Sequence, residues 1–348
     1  MKATIEDVAR VAGVSTATVS RALRGLPSVT PETREKVSQA AASLDYVVSP
    51  TASRLASGKT STIGVIAPFI DRWYFAKLVS GIERVSRSSG FDVLIYSLER
   101  LDERERLFQH RLVKERVDAL LVCSLPPSMD EVRSLQQMNI PVAVIGAEVD
   151  ECNSVRIDDV QSAKTATGHL INMGHTRIGL IAESPLQPLS FTAPRDRRDG
   201  FLLAHQEAGL NFDSSLEAYG SFTIESGERA MGELLSKAQP PTAVFCESDE
   251  MAFGAISAIH RHGLRIPDDI SIVGFDDHDL SKFANLTTIA QPVQLLGETA
   301  AWILLEQLKE PTKPRTSTVM PTQLIVRNST KRLGSDRAGA VIGAFGSI

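Results

Sequence analysis

Seven short runs of Val, Ile, Leu and Ala recur along most of this chain, and stretches that read as helices separate most of them. IGVIAP (63–68) precedes a helical stretch at 75–89, DVLIYS (92–97) one at 102–115, and ALLVCS (119–124) one at 129–138. PVAVIG (141–146) is followed by 159–173, RIGLIA (177–182) by 197–208 and TAVFCE (242–247) by 249–262; DISIVGF (269–275) closes the series. Strands that are apolar at every position must be covered on both faces, so the sheets they build are parallel and flanked by helices, with right-handed crossovers. This many strands over about 270 residues predicts two similar lobes rather than one sheet.

The first 60 residues have a different texture. Residues 4–45 read as three short helices. Thr4 is a good N-cap, Asp7 lies three residues on, and Ile5, Val8, Ala9 and Ala12 share one face. Gly13 ends this helix, and Ser15 caps the next, which turns Val19, Ala22 and Leu23 inward. Thr30-Pro31-Glu32 opens a third, with proline where its missing N–H costs nothing. SPTASRLASGKTS (49–61) reads as a linker, or as a helix too short to hold by itself. The expected organisation is a head at 1–48, a hinge at 49–61, a body at 62–330 and a disordered tail at 331–348.

Charge follows the same division. The 348 residues net −5, but Met1–Lys59 carries eight Lys or Arg against five acids, a net of +3. The remainder carries 29 against 37, a net of −8. A basic head on an acidic body is expected where only the head meets phosphates. Helix, glycine turn and a second helix opened by hydroxyl residues is the geometry that enters a major groove. Ser15 and Thr18 are then candidates to bond phosphates, and Thr4 counts with them on the DNA-facing side. Thr16 and Ala17 are placed to touch base edges, and Arg21 to pair bidentately with guanine. The same spacing also suits a three-helix bundle with a solvated face.

Other chemistries find little support. There is no phosphate loop, no dinucleotide fingerprint and no nucleophile elbow, so no enzyme is expected. Cys123, Cys152 and Cys246 lack metal-site or disulfide spacing, and His169 and His175 lack the i, i+4 spacing of a zinc pair. His260, His262 and His278 read as surface residues. No metal or cofactor is expected. No apolar run is long enough to span a membrane, and residues 1–20 lack a signal-peptide core, so a cytoplasmic protein is expected.

TIEDVARVAGVSTATVSRAL, V-T-P-E-T-R-E-K-V and L-D-Y closely resemble the DNA-binding head of the lactose-repressor (LacI/GalR) family, densely over residues 3–58. The resemblance implies a homodimer whose two heads read a near-palindromic operator, with Thr16, Ala17 and Arg21 at base-reading positions. It also implies that 49–57 folds into a hinge helix on DNA, with Leu55 wedged into the minor groove and Ala52 against the partner hinge. Val48 and Ser49 depart from the Pro-Asn often found there.

The body resembles the same family's effector domain, a two-lobed α/β fold like that of periplasmic binding proteins (type I), in segments such as TIGVIAP, RVDALLV, HLINMGHTRIGLIA, PPTAVFCESDEMAFGAISA and GLRIPDDISIVGFDD. The resemblance implies a small-molecule effector, a sugar or sugar derivative, in the cleft between the lobes, with chain crossings near 159, 288 and 320, so that one lobe takes about 62–158 plus 289–319 and the other about 159–288 plus 320–330. Trp73 and Tyr74 follow the first strand, where the family places a stacking aromatic. Arg197 matches the arginine of its R-x-x-G-F motif, Phe222 a second aromatic, Asp276 a ligand-facing aspartate, and Ser248 a position often held by Asn. Glu148 falls where many relatives carry Asp or Arg, and Phe191 replaces a polar residue of the purine-sensing branch. The expected function is an effector-controlled DNA-binding repressor. The alternative is a cytoplasmic α/β solute-binding or enzymatic protein whose head docks a protein partner.

Overall fold

The computed structural model describes residues 3–23, 25, 27–46, 59–98, 100–109, 113, 115–184 and 191–334. It divides into two compact units, residues 1–61 and 62–348. Ala52, Leu55 and the hinge up to residue 58 lie outside the described residues, as does the tail from 335.

The first unit is three helices: α1 (Ile5–Ala12), α2 (Thr16–Leu23) and α3 (Pro31–Ser43). Thr4 and Asp7 form a reciprocal capping box, the Asp7 amide donating to the Thr4 hydroxyl oxygen at 3.3 Å and the Thr4 amide to the Asp7 carboxylate at 3.0 Å. The Thr4 amide and hydroxyl, joined by Arg10, donate to the Asp7 carboxyl and hold it at about 2. Gly13 takes φ 66°, a left-handed conformation that glycine reaches without a Cβ clash, and its N–H closes α1 on the Ala9 carbonyl. Val8, Val19 and Val37, all fully buried, meet with Ala9, Ala22, Ala40 and Ala41 in a core of small side chains that lets the helices approach closely.

In the second unit the strands are β1 (Thr62–Ala67), β2 (Asp92–Ser97), β3 (Ala119–Cys123), β4 (Val142–Ile145), β5 (Asn153–Ile157), β6 (Ile178–Glu183), β7 (Glu217–Gly220), β8 (Ala243–Cys246), β9 (Ser271–Asp276), β10 (Thr287–Ala290), β11 (Ser317–Met320) and β12 (Gln323–Ile325). Among the described residues they form two six-stranded sheets, ordered β11-β5-β4-β3-β1-β2 and β12-β10-β9-β8-β6-β7. All pairings are parallel except β10 with β12. Each sheet heads one lobe. The chain passes between lobes after β5, after β10 and after β11.

The helices that cover the sheets are α4 (Trp73–Ser88), α5 (Leu101–Gln109), α6 (Met129–Gln137), α7 (Asp159–Asn172), α8 (Ala193–Glu207), α9 (Ile224–Leu235), α10 (Asp249–Arg261) and α11 (Val293–Lys309). Central strands β1, β3, β6 and β9 are buried at every residue, as their unbroken apolar runs require. The pairs α4 with α11, α7 with α8 and α9 with α10 pack side by side. Helices α9 and α11 and strands β5, β7, β10, β11 and β12 were not anticipated. NSVRI, EAYG and STVM are short and half polar, so no apolar run announces them.

One expectation is corrected at the C-terminus. Residues 331–334, assigned to the disordered tail, follow the second lobe. The Lys331 amide donates to the Ser271 hydroxyl at 3.1 Å, the Leu333 amide donates to the Met173 carbonyl at 2.8 Å, and His175 Nε2 lies 3.0 Å from the Lys331 carbonyl oxygen. Hydrogen-bond partners, invisible to a search for periodicity, order this stretch.

Candidate functional site

Two surfaces concentrate the residues singled out by sequence. On the head, Ser15, Thr16, Ala17 and Arg21 are exposed along α2 and Thr18 is half-buried, while Val19 and Ala22 anchor the opposite face. The Ser15 hydroxyl accepts from the Thr18 amide at 3.2 Å and lies 2.9 Å from the Thr18 hydroxyl. Both side chains therefore sit at the N-terminal, positive end of α2, where anions are favoured. Thr4 is exposed, but its hydroxyl donates to Asp7 at 2.8 Å, which makes it a cap first.

In the body, a cleft opens between the lobes. Its lining comes from residues just beyond the carboxyl ends of parallel strands, where open α/β sheets leave a crevice. Phe69 and Arg72 follow β1, Ser124 follows β3, Gly146 follows β4, Ser248 follows β8, and Asp276 ends β9. Tyr74, Phe75, Phe191 and Phe222 supply apolar walls, and Asp159, Arg197, Glu250 and Gln291 supply polar groups. The mix of apolar wall and few polar groups suits a small ligand held in one orientation.

Arg197 organises the floor. Projecting from α8 and only 6% exposed, it donates Nε to Asp159 Oδ1 at 2.8 Å and one terminal nitrogen to the Glu247 carbonyl at 2.5 Å. Its guanidinium lies 3.7 Å from the centre of the Phe275 ring, and Asp276 Oδ1 lies 3.9 Å from it. The charge is thus paired, stacked and hydrogen-bonded at once, the condition under which an arginine tolerates burial. Asp276 accepts from Gln291 Nε2 at 2.5 Å; burial pushes its carboxyl up to about 8 against the pull of Arg197. Its φ of 119° is a conformation that side chains other than glycine rarely adopt, and Phe222 at φ 54° also sits in the left-handed region. Such strain clusters where surrounding structure over-determines a functional residue.

Asp249, fully buried, holds the segment that carries Asp276. It accepts from the His278 amide at 2.8 Å, the Ser281 hydroxyl at 2.6 Å and the Thr288 hydroxyl at 2.6 Å. Gly274 makes room for it: a Cβ there would stand 2.1 Å from Asp249 Oδ1. Gly274→Ala should therefore destabilise the body by about 1–3 kcal/mol through overpacking. An unchanged denaturation midpoint would show that the Asp249 carboxylate can move aside.

Of the residues expected in the cleft, Tyr74, Arg197, Phe222, Ser248 and Asp276 line it. Trp73 does not. It opens α4 beside Tyr74, and about 100° of helical rotation sends its ring outward onto His278, with centroids 4.7 Å apart. Its Nε1 donates to Asp279 at 3.1 Å. His278, expected at the surface, is half-buried under that ring. Glu148 also turns away and pairs with Arg156 at 2.7 Å. Phe69, Arg72, Ser124 and Gln291 were missed, although the first three follow strand ends and could have been found by that rule.

The description of bacterial regulatory proteins of the lacI family matches residues 4–49, and that of the periplasmic binding protein-like domain matches residues 167–330. The HTH-type transcriptional repressor CytR of Escherichia coli (strain K12) is 38% identical over 336 residues, covering 95% of this chain and 97% of that protein.

The chain belongs to the lacI family.

Two solved structures of related proteins align with it at similar breadth. The lac repressor dimer bound to operator and the anti-inducer ONPF superposes with a TM-score of 0.84 at 29% identity, covering 95% of this chain and all of that one. The transcriptional regulator CelR–cellobiose complex gives 0.70 at 31% identity, covering 94% and 99%. Membership in the lacI family accounts for the recurrence of one architecture here: a three-helix head and a two-lobed α/β body. Among the described residues no helix is long and apolar enough to cross a membrane, and no group of three or more His, Cys, Asp or Glu is placed to hold a metal ion.

Proposed function

We propose that this protein is a transcriptional repressor whose affinity for a near-palindromic operator is set by a small neutral polyhydroxylated molecule, a sugar or sugar derivative, held between the two lobes. The observation that carries the reading is the joining, in one chain, of an exposed Ser15–Arg21 helix face to a cleft floored by the buried Arg197. Thr16, Ala17 and Arg21 read base edges; Ser15 and Thr18, with the α1 end at Thr4, contact phosphates. Ala52 and Leu55 complete the set of DNA-contacting residues. Tyr74 and Phe222 offer ring faces to the effector, while Arg197, Ser248 and Asp276 meet its hydroxyls. The working unit is a homodimer in the cytoplasm, and it has no catalytic role.

A sugar is favoured because the donors of both cleft arginines are already engaged and the carboxyls of Asp159, Glu250 and Asp276 share the cleft with them, a poor setting for a phosphate. The sensing is thermodynamic: the effector must bind one lobe spacing better than the other. A thermal-shift screen of mono- and disaccharides on the full chain, followed by footprinting of its own upstream DNA with each hit, tests the reading. One sugar should raise the melting temperature and alter a protected, two-fold symmetric site. No protected site in the presence or absence of any sugar would refute it.

A further inference from the structure

One short stretch of the first lobe carries polar contacts that fasten it to the second lobe beside the cleft. Arg72, the residue before α4, donates a terminal nitrogen to the Ser221 carbonyl at 3.1 Å and to the Phe222 carbonyl at 2.5 Å, both in the second lobe. Its guanidinium is held in place from its own lobe, 5.0 Å from the centre of the Phe69 ring. The receiving turn is equally fixed. The Ser226 hydroxyl oxygen accepts from the Ser221 amide at 2.9 Å and from the Thr223 amide at 3.2 Å, pinning Phe222 in its left-handed conformation. A second fastening lies beside the first: Trp73 Nε1 and Lys77 Nζ meet Asp279 of the second lobe at 3.1 and 2.8 Å.

Hydrogen bonds of this kind fail within a few tenths of an ångström of stretching. They therefore exist at one lobe spacing and vanish at any wider one. Arg72 and Phe222 also line the cleft, so a ligand between the lobes touches the fastening itself. We propose that Arg72 is a positioning residue that fixes the lobe spacing around the cleft: it locks the Phe222 wall of the second lobe to the first lobe. This rests on the reading of the cleft as the effector site and adds the element that holds the lobes together around it. Bonds that form at one spacing and break at another are what a lobe-spacing switch needs.

Trp73 is a built-in reporter, because it sits in the second fastening and the chain has one other tryptophan, the half-exposed Trp302. In a Trp302→Phe background, acrylamide quenching then reads Trp73 alone. Arg72→Met keeps the apolar stem over Phe69 and removes only the donors. It should raise the quenching constant at least about twofold as the population shifts to open spacings, with far-UV ellipticity unchanged. Arg72→Lys, which can still donate to a carbonyl, should recover much of the protection. Quenching in Arg72→Met equal to that of the parent, or no recovery with lysine, would overturn the proposal. If Arg72→Met fails to fold, the donor-free Arg72→Leu takes its place with the same two outcomes. The measurement needs neither DNA nor effector. A failure of operator binding would thus leave it standing, and its own failure would leave operator binding untouched.

Discussion

Arg197→Ala should cost the body about 3–5 kcal/mol of stability, the penalty for removing one partner of a buried, hydrogen-bonded charge network. Three groups lose their cation: Asp159, which receives Nε, the Glu247 carbonyl, and Asp276 at 3.9 Å. Asp159 and Asp276 already lie above the ordinary carboxylate range through burial, and without Arg197 both rise further. Arg197→Lys separates stability from sensing. The ammonium keeps a positive charge near Asp159, so much of the fold survives. It loses the planar fork and the stacking over Phe275, and the floor of the cleft is no longer set. Arg197→Lys should therefore bind operator as tightly as the parent yet ignore any sugar that releases the parent. Chemical denaturation measures the first effect and a gel-shift titration with that sugar the second. A lysine variant that still responds would show that the guanidinium geometry is not what the effector reads.

The two-lobed body was legible because a parallel sheet buried on both faces imposes continuous apolar runs, and seven of those could be read. Edge strands such as β7 and β11 touch solvent on one face and are only four residues long, so neither length nor periodicity marks them. The head was legible from capping chemistry: the Thr4–Asp7 box and Gly13 turn are local, and local rules decide them. The cleft was legible only in part, for a physical reason. Which of two neighbours at a helix start faces a cavity depends on the phase of the helix against the sheet, which the string TrpTyr does not encode. Trp73 and Tyr74 thus diverge. Glu148 was lost to a partner, Arg156, that only the folded chain brings near. Arg72 escaped notice because its bonds go to backbone carbonyls 149 and 150 residues away.

Operator binding should lose affinity steeply as salt rises, and Arg21→Ala should change which sequence is preferred more than it changes that slope. Phosphate contacts release counterions, so each contributes to the salt slope whatever the sequence. A guanidinium that pairs with a guanine edge contributes discrimination instead, about 1–3 kcal/mol at one position of each half-site. Arg21 is exposed near the end of α2, one turn beyond Ala17 on the same face, while Ser15 and Thr18 hold the start of the helix. That division assigns register to the hydroxyls and choice of base to the arginine. Binding measured from low to moderate salt on the operator and on single-base variants separates the two roles. Arg21→Ala should flatten the preference at one symmetric pair of positions while keeping most of the slope. Equal weakening on every sequence, with the slope reduced by about one, would make Arg21 a phosphate contact and move base reading to Thr16 and Ala17.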